Sequence, residues 1–231
     1  MNKIEVRDET LEKIIKLNED TFIFYENCNI NVKYEITGDV KVFMYVYNSV
    51  INGSYDISSN FSFNVFAVDS SVSLKLDLNR EDINLDYVYS TINEHDNSYE
   101  ITVNHNCKNQ ISKVINHGIN LDSNKLSFVI NTVIPKDSIK ICANQDSKII
   151  LVRDGSGKID PNLIIDNDDI NANHSAYIGD FKEEDIFYIK SRGISLNDAR
   201  KLLAKAFLIG KMKISYKEIN IILEKLDLYW R

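Results

Sequence analysis

Between Thr21 and Asp169, hydrophobic and polar residues alternate along short segments of the chain. In segments 30–36 and 72–78, every second residue is Ile, Val, Tyr or Leu. Such alternation is typical of strands that bury one face. Clusters of Asn, Asp, Gly and Ser separate the segments, as turns between strands do. Since no helical pattern interrupts them, the chain is predicted to form an all-β stack, sandwich or solenoid rather than an α/β fold.

The alternation does not decide which all-β architecture forms. A β-helix would have turns of similar length, and turns of about 20 residues can be drawn on this chain. Their sequences are not close copies of one another. On the residues alone, a sandwich or barrel and a β-helix both stay open.

The first residues have a different pattern. Segment 10–18 (TLEKIIKLN) places Leu11, Ile14, Ile15 and Leu17 on one side of a helix. We therefore predict a short N-terminal helical segment within residues 1–20.

Helical spacing returns near the C-terminus. Glu183–Lys190 is predicted to be a short helix that Gly193 ends. Ser195 and Asp198 then form a capping-box pattern in front of an apolar run. The apolar positions of that run are Ala199, Leu202, Leu203, Ala206 and Phe207.

A third helix is predicted after a short loop. Gly210 ends the second helix, and Ser215 with Glu218 repeats the capping pattern. The apolar stripe that follows consists of Ile219, Ile222, Leu223, Leu226 and Trp230. Two antiparallel helices in a C-terminal subdomain, residues 181–231, follow from this pattern.

Composition narrows the classes of function. The net charge of -7 and pI of about 5.2 argue against a broad basic nucleic-acid surface. The charged start and the lack of a long apolar run predict neither a signal peptide nor a membrane span. The three cysteines form no CxxC pair, which suits reduced thiols and a cytoplasmic protein.

Few residues of the sequence are candidates for metal binding or catalysis. His174 could be an iron or zinc ligand or a proton carrier, although a lone histidine is more often structural. His105 and Cys107 are two apart and would share a face if both lay on one strand, so they are weaker metal candidates. Cys142 is a further weak candidate, while Cys142 and Cys28 both suit the role of small buried hydrophobes. No phosphate-binding loop or hydrolase motif is present in the sequence.

The segment from Pro161 to Ser195 resembles the C-terminal signature of the SufB/SufD family of iron–sulfur cluster assembly proteins. In that family a proline precedes an aliphatic strand, an acidic turn, a histidine, a glycine turn, an aromatic pair and SRGI. Here the corresponding positions are Pro161, 163–165, Asp168, Asp169, His174, Gly179, 186–188, 191–194 and the helix 199–207. A weaker resemblance begins near Val103.

The resemblance implies a right-handed parallel β-helix, residues 21–180, followed by a helical subdomain. It further implies a dimer with a SufB-like subunit or a second copy, and docking of the SufC-type ABC ATPase on the subdomain. No cofactor would be bound stably, although an iron–sulfur cluster could form transiently at the dimer interface. The implied docking residues are Arg192, Ala199, Leu202, Leu203, Ala206 and Phe207.

Two positions make the resemblance closer to SufD than to SufB. SufB-type members carry a cysteine some fifteen residues before the proline, where this chain has Gln145 and Asp146. They also carry a glutamate directly after the histidine, where this chain has Ser175. The resemblance therefore implies a non-catalytic, SufD-like assembly subunit with His174 as its candidate cluster-assembly residue.

Two other functions stay open at this point. A self-associating structural β-solenoid would form dimers without affinity for an ATPase. A β-helix enzyme acting on polysaccharide would need clustered acids on one face, whereas the acids of this chain lie mostly in turns.

Overall fold

The computed structural model describes residues 2–229, and the side chains of residues 2–227. Fifteen strands are followed by three helices in this part of the chain. The strands are β1 Asn2–Arg7, β2 Thr10–Leu17, β3 Thr21–Glu26, β4 Asn29–Ile36, β5 Val40–Tyr47, β6 Val50–Ile57, β7 Phe61–Val68, β8 Ser71–Leu78, β9 Asn84–Asn93, β10 Asn97–His105, β11 Ile111–Asn120, β12 Lys125–Ile134, β13 Ile141–Leu151, β14 Ser156–Ile165 and β15 Ile170–Gly179. The helices are α1 Glu183–Lys190, α2 Leu196–Ile209 and α3 Tyr216–Tyr229.

The strands form two parallel sheets. All odd-numbered strands lie in one eight-stranded sheet, and all even-numbered strands lie in one seven-stranded sheet, each in chain order. A parallel neighbour in the same sheet needs a crossover connection, and here the crossover is a strand of the other sheet. The chain therefore winds as a parallel β-helix, which we call the coil, and the mainly-β prediction is confirmed.

The coil does not repeat at a constant length. Cys28 and Ser49, hydrogen-bonded on neighbouring turns, are 21 residues apart, whereas Asn116 and Ser147, also hydrogen-bonded on neighbouring turns, are 31 apart. A repeat that lengthens along the chain leaves no fixed sequence period, which explains why the alternation could not separate a coil from a sandwich.

One corner of the coil is built from Asn and Asp residues with positive φ. Asp8, Asn27, Asn48 and Asp69 adopt φ values of 53°, 53°, 44° and 44° on four successive turns. Asn and Asp tolerate this left-handed conformation better than other non-glycine residues. The amides also form a ladder, since Asn27 donates to Asp8 and Asn48 donates to Asn27 at 2.9 Å each.

The interior of the coil is filled by the alternating apolar residues of both sheets. Aromatic rings from the two sheets and from neighbouring turns stack on one another. Tyr34 lies 4.6 Å from Tyr55, and Tyr89 lies 3.8 Å from Tyr99, measured between ring centroids. Such stacks add to the stability that burial of the rings already gives.

A second apolar cluster lies on the outer face of the eight-stranded sheet, where α2 and α3 cover it. Its sheet residues include Phe43, Tyr45 and Phe66, and the helices contribute Leu208 and Ile222. Strands β5, β7 and β9 are thus buried on both faces along most of their length, and β5 and β7 read as nearly continuous apolar runs. The seven-stranded sheet keeps one polar, solvent-facing side.

The predicted N-terminal helix is wrong, because residues 10–17 form strand β2. This strand pairs with β4, so that Leu11 lies beside Ile30 and Ile15 beside Tyr34. Leu11 and Ile15 pack against the interior, whereas Ile14 is 62% exposed on the opposite face. The apolar spacing fits a strand as well as a helix, and pairing with the next turn decides between them.

The C-terminal helices and their caps are confirmed. Gly193 follows α1 with φ of 84°, and the Ser195 hydroxyl accepts a hydrogen bond from the Asp198 backbone at 3.1 Å. Glu218 Oε2 accepts from the Ser215 backbone. Trp230, which the apolar stripe of the third helix includes, lies outside the described residues. Within residues 2–229, no helix has the length and hydrophobicity needed to cross a membrane.

Candidate functional site

The coil ends at β14 and β15, the last strands of their sheets. Among the described strands, none continues either sheet beyond them, so each presents an edge with unpaired backbone groups. We call this region the open end. Its exposed apolar side chains include Ile178 at 41%, in an inward position beside Ile149, and Ile164 at 56% and Tyr177 at 45% on the outer faces.

His174 lies in the middle of β15, at the open end. Its register partner in β13 is Gln145, and the flanking pairs are Ala172 with Ala143 and Ala176 with Ser147. The three β13 residues are buried, which means that their alternating set faces the interior. His174 therefore occupies an inward position on the last turn, where it is exposed because no further described strand covers it.

Next to His174 the interior changes from aromatic to polar. Gln145 donates from Nε2 to Thr132 Oγ1 at 2.7 Å and to the Asn162 carbonyl at 3.3 Å. Asn116 donates from Nδ2 to Ser147 Oγ at 3.0 Å. The interior of the last turns is therefore partly polar, and its amides are hydrogen-bonded to neighbouring strands.

On the outer face of the same two strands, Asp146 and Ser175 lie side by side. Ser175 donates from Oγ to Asp146 at 2.7 Å, and Lys148 lies 3.3 Å from the same carboxylate. Partial burial by itself raises the pKa of Asp146, but Ser175 and Lys148 outweigh it and hold the pKa below its usual value. The positions at which a SufB-type chain would carry cysteine and glutamate thus form a hydrogen-bonded Asp–Ser pair.

The predicted sharing of one strand face by His105 and Cys107 is wrong. Strand β10 ends at His105, and Cys107 lies in the turn that follows. His105 is fully buried and its Nε2 lies 2.9 Å from Ser112 Oγ. Desolvation lowers its pKa to about 4. Burial and the nearby Glu81 raise the pKa of the Cys107 thiol.

The other cysteines are not part of a cluster. Cys28 is buried and its thiol contacts the carbonyls of Val6 and Glu26, in keeping with a small core residue. Cys142 lies half-buried on the outer face of β13, with Asn144 Nδ2 3.7 Å from its sulfur. Among the described residues, no group of three or more His, Cys, Asp or Glu side chains is arranged to hold a metal ion.

The predicted docking residues of α2 divide between two surfaces. Ala199 is fully buried, and the Phe207 ring stacks on His117 at 4.2 Å. By contrast, Leu202 is 48% exposed and Ala206 is exposed as well, while Leu203 is half-buried. Part of the predicted docking stripe therefore holds the helix on the coil, and only part faces solvent.

Arg192 is exposed and its guanidinium lies 4.6 Å from the centre of the Tyr188 ring. Phe187 and Tyr188 of α1 are 74% and 59% exposed, and Leu196 at the start of α2 is 45% exposed. We call Phe187, Tyr188, Leu196 and Leu202 the exposed apolar set. Sequence reasoning assigned Phe187 and Tyr188 to the family signature but not to a surface.

His117, in strand β11, contacts the last turn of α2. Its Nδ1 lies 2.7 Å from the Phe207 carbonyl, and Ser90 donates to the Leu208 carbonyl at 2.7 Å. Both contacts satisfy carbonyls in the last turn of α2, which have no intrahelical partner. Desolvation lowers the pKa of His117. Ile115 and Ile119, which flank His117 on the same face of β11, were the signal that this outer face is covered.

Comparison with known proteins agrees with this geometry. The family described as SUF system FeS cluster assembly, SufBD core domain, matches residues 48–207. The SufD protein of Bacillus subtilis is 32% identical over 98 residues, which cover 41% of this chain and 22% of that protein. The SufD protein of Escherichia coli is 43% identical over 47 residues, which cover 20% of this chain and 11% of that protein.

The SufD protein of Plasmodium berghei is 41% identical over 76 residues, or 32% of this chain and 6% of that protein. The aligned segments thus span less than a quarter of each of these relatives. The family match, in contrast, includes most of the coil, α1 and most of α2. The chain therefore belongs to the SufB/SufD family of SUF-system iron–sulfur cluster assembly proteins, and it is SufD-like.

Proposed function

We propose that this protein is a non-catalytic assembly subunit of a SUF-type complex, in which it couples a SufC-like ATPase to the β-helix dimer where the cluster is built. The observation that carries the proposal is the family match over residues 48–207, which spans both the open end and the helices beside it. The cluster is the cargo of the complex, and no cofactor is held stably by this chain.

The open end is the proposed dimer surface. Strands β14 and β15 present unpaired edges, and exposed edges pair readily with another chain. Burying Ile164, Tyr177 and Ile178 there would remove apolar side chains from water. The partner is a SufB-like subunit or a second copy of this chain.

The exposed apolar set and Arg192 form the proposed ATPase-docking surface. The sequence contains no GxxxxGK[ST] phosphate loop, so nucleotide chemistry would belong to the partner. An amphipathic helix with aromatic residues exposed beside it is a common docking element. The cytoplasmic location expected from the reduced cysteines stays a prediction.

His174 is the proposed contribution of this chain to cluster assembly. At the open end its imidazole would face the dimer interface, where a neutral ring can bind iron or carry a proton. Since no group of three or more His, Cys, Asp or Glu side chains among the described residues could hold a metal ion, the partner subunit would supply the remaining ligands.

The proposal is tested by anaerobic co-expression of the protein with a SufC-type ATPase and a SufB-type subunit, followed by measurement of subunit stoichiometry, iron and labile sulfide. Loss of a group that orients or binds a metal commonly costs 10–100-fold in affinity, so we expect His174→Ala to lower cluster yield at least about tenfold.

The matched control is His95→Ala, which removes an exposed histidine beside Asp69, far along the chain from the open end. It should assemble clusters normally. Normal cluster yield in the His174→Ala complex would remove His174 from the proposed function. A dimer that never recovers the ATPase would instead favour a self-associating structural β-solenoid.

A further inference from the structure

The side-chain amide of Gln145 has hydrogen-bond partners for its nitrogen but none for its oxygen. The residue is 3% exposed. Its Nε2 donates to Thr132 Oγ1 and to the Asn162 carbonyl, which uses both amide hydrogens and fixes the plane of the group. Its Oε1 is buried and has no hydrogen-bond partner. An unsatisfied buried acceptor costs about 1–3 kcal/mol, so a residue retained in this state calls for a donor.

The adjacent turn of the coil places a residue that can donate a hydrogen bond next to Gln145. Gln145 and His174 are direct register partners in the parallel pair β13–β15, on the same face of the sheet. Partners of this kind have backbones about 4.8 Å apart, so their side chains lie side by side. The neutral imidazole of His174 carries one N–H that can donate to a carbonyl oxygen. Because no described strand covers the ring, packing does not oppose its rotation toward Gln145.

We propose that Gln145 is a positioning residue for His174, whose ring donates a hydrogen bond from one nitrogen to Gln145 Oε1. The bond places the proton on the nitrogen that faces the interior. The other nitrogen then presents its lone pair away from the coil, toward the space that a partner subunit would occupy. Outer partners of this kind are the usual means by which proteins fix the tautomer and direction of a metal-binding histidine.

The contacts of residue 145 explain why a glutamine positions His174 better than a carboxylate would. Glutamine can donate to Thr132 and Asn162 while accepting from His174, whereas a carboxylate would have no hydrogen to donate. Binding of a metal by the free nitrogen of His174 rests on the proposed function. The hydrogen bond between His174 and Gln145 does not depend on that function.

The test is long-range ¹H–¹⁵N correlation NMR of the full chain labelled at its histidines, at a pH where the imidazoles are neutral. His174→Ala identifies the resonances of His174 among the four histidines. We expect one tautomer in the unmodified protein, and loss of that single pattern in Gln145→Met, which keeps the side-chain length and removes the acceptor.

The matched control is Gln110→Met. Gln110 is also fully buried, also donates from Nε2 to two carbonyls, and also has an unpartnered Oε1, but it lies in the turn before β11. The Gln110→Met substitution should leave the His174 resonances unchanged. If Gln145→Met fails to fold, Gln145→Asn withdraws the carbonyl while it keeps the amide, and the same loss is expected.

A tautomer pattern that is the same in the unmodified protein, Gln145→Met and Gln145→Asn would overturn the proposal and leave Oε1 to a water molecule. The assembly assay separates this result from the proposed function. If the tautomer changes but cluster yield stays normal, Gln145 positions His174 and the role of His174 in assembly is wrong. If both change, Gln145→Met should add no further loss to His174→Ala.

Discussion

At the scale of single residues, the coil separates two kinds of buried histidine. His105 faces the interior and bonds to Ser112, whereas His117 faces outward and bonds to the last turn of α2. Desolvation lowers the pKa of each, so burial favours the uncharged ring at both positions. Each therefore makes folding dependent on pH in the mildly acidic range.

His105 gives the clearer prediction. Its folded pKa of about 4 lies below the usual value of about 6.5, so between these two values the unfolded chain binds more protons. The stability that it contributes is fully present above about pH 6.5 and is lost as the pH falls toward 4. Between pH 7 and pH 5 we expect a loss of about 2 kcal/mol in the free energy of unfolding from this residue.

The measurement is urea unfolding of the unmodified protein and of His105→Gln at both pH values. The glutamine can still bond to Ser112 but does not titrate in this range. The variant should lose less stability than the unmodified protein by about the same 2 kcal/mol. Equal losses in the two proteins would show that His105 is charged in the folded state or exchanges protons freely.

At the scale of elements, helix α2 has one face packed on the coil and one face exposed to solvent. The face with Ala204, Phe207 and Leu208 is packed on the coil, and hydrogen bonds from Ser90 and His117 fasten the last turn of the helix. The face with Leu202 and Ala206 is exposed.

The two faces should respond differently to substitution. Leu202→Glu should abolish capture of a SufC-type ATPase but change the free energy of unfolding by less than about 0.5 kcal/mol, since the residue is exposed. Phe207→Ala removes the ring that stacks on His117 and should destabilise the protein by about 2 kcal/mol. Pull-down yield and urea unfolding measure the two effects.

The control for Leu202 is Val50→Glu, because both side chains are 48% exposed and Val50 lies on the outer face of the seven-stranded sheet. Val50→Glu should bind the ATPase normally. If Leu202→Glu does the same, the docking surface lies elsewhere, whatever the stability of Phe207→Ala.

At the scale of the whole molecule, the two ends of the coil differ in character. Strand β1 carries an outward row of Lys3, Glu5 and Arg7, which are joined to one another and to Glu26 by ion pairs. Charged side chains of this kind discourage edge pairing. Strand β14 also carries an ion pair, between Lys158 and Asp160, but β14 and β15 add exposed Ile and Tyr side chains. The coil is therefore expected to associate through its C-terminal end.

This difference between the two ends predicts that a charged substitution at the open end weakens the dimer. Ile178→Asp would bury an unpaired charge in the proposed dimer, and each 1.4 kcal/mol of such cost weakens association about tenfold. We expect the dissociation constant to rise at least about tenfold, measured by light scattering after gel filtration, with a SufB-type subunit present and absent.

Ile14→Asp is the matched control, because Ile14 is an apolar residue 62% exposed on β2, near the opposite end. It should leave the dimer unchanged. Equal weakening by both substitutions, or by neither, would contradict the assignment of the interface to the open end.

Local sequence determined much of this protein. The alternation in 30–36 and 72–78 became strands of the seven-stranded sheet, because a strand buried on one face must alternate. The caps at Ser195 and Ser215 marked the starts of α2 and α3, since backbone groups at a helix end need nearby partners. The signature from Pro161 to Ser195 identified the family.

The tertiary structure decided what depends on residues far apart in the chain. Residues 10–17 are a strand because β4 pairs with them, although their own spacing also fits a helix. Phe207 faces the coil because His117 lies 90 residues earlier on the sheet beneath it. Gln145 and His174 are neighbours because one turn of the coil takes 29 residues there. Sequence spacing reports local periodicity, while contacts between turns depend on turn lengths that no local pattern contains.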